Sequence, residues 1–221
     1  MSYKAKNIYY SLGVIAFIIG AFFVLTYALG YKVDISNRNI TQTAMIIIQS
    51  DEANIYIDNK LVGFGRVVLR DLEPGHYKVK LTKTGYHDWQ KQVDLLSGQA
   101  EIIDDDILFK NKISPAEYTE VSSDFLNSFA DTQNLSDKNN EIYQNYEYVT
   151  RFAKEATGVC WYSDRRYIAF TYEGKLKIIQ TNGTNEIALL DKNSASPVVF
   201  INSGRSVIYE NNGKIYKADI R

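Results

Sequence analysis

Two histidines, one cysteine and a run of three aspartates are the residues in this chain whose types suit catalysis or metal binding. His76 and His87 stand eleven residues apart, which is not a metal-ligand spacing to each other or to Cys160. Cys160 lies between Val159 and Trp161 and reads as a small buried apolar residue rather than a nucleophile. As the sole cysteine it can form no internal disulfide. Asp104, Asp105 and Asp106 could attract a cation, but a strand sends successive side chains to opposite faces, and calcium needs six or more oxygens. A solvated charge cluster is the expectation. The chain has no phosphate-binding glycine loop, no HExxH and no serine in a G-x-S-x-G elbow. No enzyme, metal or cofactor is therefore expected, and a cell-wall hydrolase would require a carboxylate pair that no motif marks.

With so little reactive chemistry, the scaffold carries the information. The 221 residues include 17 Tyr and 10 Phe but only 3 Pro, a bias towards strands. Net charge is −1. Every acid lies beyond Tyr31, with every base except Lys4 and Lys6, so that part carries about −3. A nucleic-acid binder would show a basic stripe instead.

Asn7 to Tyr31 is free of formal charge, and Leu12–Leu29 (LGVIAFIIGAFFVLTYAL) is apolar on every helical face. As a helix the 25 residues reach about 37 Å, enough for a hydrocarbon core of about 30 Å. Eleven Leu, Ile, Val and Phe residues in Leu12–Leu29 supply about −3 to −6 kcal/mol of apparent insertion free energy. We expect residues 8–30 to cross the membrane. Lys4 and Lys6 would hold residues 1–7 in the cytoplasm, and Tyr9, Tyr10, Tyr27 and Tyr31 sit where aromatic belts form. A cleaved signal peptide is the rival, since Thr26-Tyr27-Ala28 loosely resembles a cleavage site, but the stretch exceeds the usual 7–15 apolar residues. In both cases the remainder is exported.

From Ala44 to Phe109 short alternating runs are separated by turns. Asp58-Asn59-Lys60 has turn composition, and in Glu73-Pro74-Gly75 proline presets φ while glycine is expected to supply positive φ. Tyr77, Val79 and Leu81 then alternate with Lys78, Lys80 and Thr82. Five to seven such strands predict a small β-sandwich. The string LEPGHYKVKLTKTGYHDW, Leu72–Trp89, resembles the PEGA domain pattern at Leu72, Pro74, Gly75, Tyr77, Val79, Leu81, Lys83, Gly85, Tyr86 and Trp89. Ser50, Ile55, Ile57 and Asp58 also match, whereas SDEAN departs from the Pro and Gly that name the family. The resemblance implies a surface β-sandwich beside a membrane helix, docking envelope polymers or surface layers. It names no ligand, since Tyr77, Tyr86 and Trp89 are expected in the core and corners, and the prolines and glycines in turns.

Residues 110–140 are rich in Ser, Asn, Asp and Gln and read as a linker, or as a decayed blade with a short helix. Residues 141–221 hold a repeat. Trp161, Phe170, Gly174, Lys175 and Leu176 recur 39 residues on as Phe200, Tyr209, Gly213, Lys214 and Ile215, and Arg166 as Arg205. Asn182-Gly183 adds a hairpin signal. WYSDRRYIAFTYEGKLKI resembles the WD40-like blades of TolB-type β-propellers, with Arg165 where that pattern has glycine. About two blades are expected, short of the four that close a ring. The chain is then a truncated copy, or it associates with itself or a partner through open strand edges.

The expectation is a mainly β, membrane-anchored, non-enzymatic envelope protein that binds or organises surface polymer or protein. The alternative is a sensor or assembly subunit acting through its helix, since the few residues before the helix cannot hold a signalling domain. Detergent-free lysis should leave the full-length chain in the membrane pellet. Its recovery in the cytosolic supernatant would contradict the anchor.

Overall fold

The computed structural model describes residues 3–34, 39–104 and 107–221. It divides into two compact units, Met1–Leu81 with Gln90–Asp104, and Thr82–Trp89 with Asp105–Arg221.

The first unit begins with α1 (Tyr3–Ala28). Its stretch Tyr10–Ala28 is long and apolar enough to cross a membrane, and none of its residues is buried. Gly30 ends the helix in the left-handed region (φ +75°), donating to the Tyr27 carbonyl. The Gly30 carbonyl in turn accepts the N–H of Thr43 at 2.7 Å and its hydroxyl at 2.8 Å. The helix exit is thereby stapled to the strands that follow. β1 (Tyr31–Asp34) and β2 (Asn39–Gln42) form an antiparallel hairpin.

The unit's larger sheet contains β3 (Ala44–Ile57), β4 (Lys60–Leu72), β5 (Gly75–Thr82), β6 (Trp89–Leu95) and β7 (Ala100–Ile103). Its order is β4-β3-β5-β6, and β7 lies parallel to β3 along Met45–Ile48. The strands expected as a sandwich are thus joined in one hydrogen-bonded sheet. β3 explains how one strand serves it throughout. Gln49 pairs with Arg66 and Asn54 with Phe64, so Ser50–Ala53 bulge opposite Gly65. The buried set accordingly changes parity, from Ala44, Ile46 and Ile48 to Ala53, Ile55 and Ile57. Without the bulge, alternation would turn the second apolar trio outward. Glu52 (φ +52°) and Gly65 (φ +67°) absorb the bend. The SDEAN segment that departs from the family pattern is this bulge. Asp58 and Asn59 both have positive φ, as a type I′ hairpin turn requires. Gly75, expected at positive φ, is not; Asp71 (φ +58°) lies within β4 at a register shift opposite Met45.

The second unit is built of meanders. The first is β9 (Leu135–Lys138), β10 (Glu141–Gln144) and β11 (Glu147–Arg151). The second is β12 (Thr157–Trp161), β13 (Tyr167–Tyr172), β14 (Lys175–Gln180) and β15 (Ile187–Asp191). The third is β16 (Val199–Ile201), β17 (Ser206–Asn211) and β18 (Lys214–Asp219), completed by β8 (Ala116–Glu117) on β18. Residues 110–140 therefore supply β8, β9 and α2 (Ser123–Phe129).

Apolar packing stacks these layers. Ile142 and Val149 of the first meander meet Val159, Trp161, Ile168 and Phe170 of the second. The opposite face of the second, with Cys160, Tyr167, Ala169 and Ile178, meets Val207, Tyr209 and Ala218 of the third. Leu126 of α2 packs on Val199 and Ile208, the far side of the third. β13 is covered on both faces, which is why YIAF is apolar without alternation. The 39-residue repeat falls on equivalent strand positions. Glu173-Gly174 and Asn212-Gly213 make matching positive-φ hairpins, and the carbonyls of Arg166 and Arg205 accept the N–H groups of Thr181 and Ile220. Arg165 (φ +58°) adopts the left-handed conformation that Gly204 (φ +79°) takes one repeat later. Asn182-Gly183 lies in a longer loop between β14 and β15, where Thr184 N–H donates to Asn182 Oδ1. No sheet closes on itself, so neither a barrel nor a propeller ring is formed among the described residues.

One charged side chain lies wholly inside this unit. Lys192 is fully buried, its Nζ donating to Thr171 Oγ1 at 2.8 Å and to the carbonyls of Ser194 and Ser196. It holds the β15–β16 loop against β12, where a side chain on Gly158 (φ +61°) would stand 2.5 Å from the Ser196 carbonyl oxygen. Desolvation lowers the Lys192 ammonium to about 8. The unfolded chain, with an ordinary lysine near 10.4, binds more protons between these values, so stability rises with pH from about 8 to about 10.5. Urea unfolding of the full chain in micelles should show wild type gaining about 2–3 kcal/mol relative to Lys192→Met across that window, the opposing loss from the raised Cys160 thiol being common to both proteins. Lys192→Met should lose that gain and cost about 2–4 kcal/mol at pH 7 by orphaning buried acceptors. Identical pH profiles for the two proteins would refute this role.

Candidate docking surface

The residues singled out for chemistry are dispersed. His76 is exposed on β5, its Nδ1 2.5 Å from Asp94 Oδ1 on β6. His87 is half-buried in the second unit, where its N–H donates to the Phe109 carbonyl; burial lowers its imidazole against the opposing pull of Asp88. Cys160 is buried, and desolvation raises its thiol to about 11, leaving almost no thiolate at neutral pH. Asp104 is described, whereas Asp105 and Asp106 lie outside the described residues. Among the described residues no three His, Cys, Asp or Glu side chains gather to hold a metal.

The signature residues shape backbone and core. Leu72 closes β4 opposite Ala44, and Pro74 and Gly75 make the turn into β5. The Tyr77 hydroxyl donates to the Glu73 carbonyl at 2.7 Å across that turn. Gly85 (φ +86°) is a conformation few side chains tolerate, and its carbonyl accepts the Asn111 N–H. Tyr86 is half-buried with Lys83 Nζ 5.0 Å from its ring centre. Trp89 is fully buried, its indole N–H without a hydrogen-bond partner among the described residues, so it contributes apolar area.

What the first unit offers outward is β4. It ends the sheet order, so one backbone edge carries no neighbouring strand among the described residues. Phe64, Arg66, Val68 and Arg70 follow one another at period two and all are exposed, Phe64 by 62%. The strip alternates apolar and guanidinium groups beside free N–H and C=O groups. Such an edge can accept an extended strand, and the arginines can hydrogen-bond carboxylate or phosphate.

Residues 43–104 match the model of the PEGA domain. Comparison with curated proteins finds no match. The PEGA match takes in the bulged β3, the exposed β4 and the first unit's part of β6, and it ends at Asp104, where that unit ends. PEGA domains are generally extracellular and are associated with binding.

The sequence reading passed over the β4 strip. Its period-two signal is present in FGRVVLR but is masked by the unbroken run Val67-Val68-Leu69, of which only Val68 is exposed. The second unit has its own exposed aromatics, Tyr146 and Tyr148, at the β10–β11 hairpin.

Trp89→Ala should cost about 3–5 kcal/mol of stability, whereas Trp89→Phe should cost much less because no hydrogen bond is lost. Phe64→Ser should stay within about 0.5 kcal/mol of wild type. Calorimetry giving Phe64→Ser the larger loss would show that β4 belongs to the core.

Proposed function

We propose that the chain is a non-enzymatic, single-pass membrane protein that holds its PEGA domain outside the cytoplasm, where the β4 strip docks an anionic envelope polymer or an extended segment of a surface protein. The observation that carries this reading is the exposed Phe64-Arg66-Val68-Arg70 row on an edge strand within the PEGA match. Lys4 and Lys6 ahead of the helix support a cytoplasmic N-terminus by the positive-inside rule. α1 supplies the apolar length for a retained anchor. The second and third meanders, which carry the 39-residue repeat, are read as about two blade-like units whose open edges allow self-association.

A second reading, a sensor or assembly subunit, draws support from the Gly30–Thr43 hydrogen bonds. A helix fixed to its domain can transmit a displacement that a flexible tether would absorb.

The docking role is tested by incubating the micelle-solubilised chain with purified cell-wall material and measuring co-sedimentation. Wild type should pellet with the wall. The double variant Arg66→Gln, Arg70→Gln should lose about fivefold in apparent affinity while remaining folded. Failure of wild type to pellet would remove the docking role, and unchanged binding by the double variant would remove β4 from it.

A further inference from the structure

Where α1 meets β1, the first unit contains a cavity of about 490 Å³ lined mainly by Phe23, Tyr27, Gly30, Tyr31, Lys32 and Asp71. Its lining is graded along the helix axis. Phe23 lies five residues before the end of α1, about 7 Å deeper at 1.5 Å per residue. That depth is close to the thickness of one headgroup layer, about 5–7 Å. Tyr27 and Tyr31 occupy the middle, while Lys32 and Asp71 supply one cation and one anion beyond the helix end.

The frame of the cavity is fixed by backbone hydrogen bonds. Gly30 turns the chain in the left-handed region, and its carbonyl is held by both donors of Thr43. The side-chain amide of Gln42 donates to the Leu29 carbonyl at 3.1 Å. Asp71 is the left-handed residue near the end of β4, an element paired along β3.

We propose that this cavity seats the headgroup of one zwitterionic phospholipid from the outer leaflet, an inference that rests on the membrane-anchored reading above. The lipid phosphate meets Lys32, its ammonium meets Asp71, and the first acyl methylenes lie on Phe23. Charge complementarity selects this occupant. An anionic lipid would satisfy Lys32 but bring no cation to Asp71, leaving a carboxylate beside added negative charge. The apolar end excludes a free phosphate as the fitting ligand, because Phe23 and Tyr27 would gain nothing from it.

The test uses the full chain, delipidated in detergent micelles and offered equimolar phosphatidylethanolamine and phosphatidylglycerol, with retained lipid read by native mass spectrometry. Wild type should retain one phosphatidylethanolamine about fivefold over phosphatidylglycerol. Asp71→Asn should abolish that preference, and Lys32→Gln should reduce retention of both lipids. Equal retention of the two lipids by wild type, or a wild-type pattern in both variants, overturns the proposal. Membrane fractionation of the same proteins separates the two levels. Wild type absent from membranes would defeat the anchor and the pocket together, whereas wild type in membranes without lipid preference defeats the pocket alone.

Discussion

The nineteen residues from Tyr10 to Ala28 form a helix without a charge, and none of them is buried among the described residues. Water is a poor solvent for such a surface, since each exposed Leu, Ile or Phe forgoes about 1.5–3 kcal/mol relative to burial. Lipid removes that cost along the whole circumference. If the helix lies in a bilayer, the hydrogen bonds from Thr43 to the Gly30 carbonyl keep the following hairpin close to its exit. The PEGA domain would then be held at the membrane surface by a defined junction, a mechanical situation unlike that of a domain on a long tether.

Within the folded units, the polar and reactive side chains mostly serve the architecture. Lys192 uses its ammonium to hold a loop through three oxygen acceptors, and Cys160 adds a small apolar volume between two sheets. Left-handed turns carry much of the remaining specification. Asp58-Asn59, Asn139-Asn140, Asn145-Tyr146, Glu173-Gly174 and Asn212-Gly213 each have two consecutive positive-φ residues that reverse a strand.

The elements most legible in the sequence were those with one uninterrupted signal. The helix announced itself by the absence of a polar face, and the strand Tyr77–Leu81 by strict alternation. The 39-residue repeat marked equivalent hairpins correctly because Gly174 and Gly213 occupy the same positive-φ position. What escaped detection depended on long-range pairing. The bulge at Ser50–Ala53 and the left-handed Asp71 at another β3–β4 register shift appear only when β3 is set against β4, and Gly75 does not take the positive φ expected of it. Lys192 looked like any surface lysine, since nothing local reveals that Thr171, Ser194 and Ser196 converge on it. β8 sat in a polar stretch, and the short helix weighed there as an alternative, α2, is fixed by Leu126 packing against Ile208 and Val199.

The topology proposed above is a single crossing of the bilayer with the strand-rich part outside. Cys160 is buried, so in a Cys160→Ala background single cysteines can report sidedness without interference. A membrane-impermeant maleimide applied to intact cells should label Ser97→Cys on the β6–β7 loop and leave Ser2→Cys unmodified until the membrane is broken. Labelling of Ser2→Cys with protection of Ser97→Cys would contradict the account.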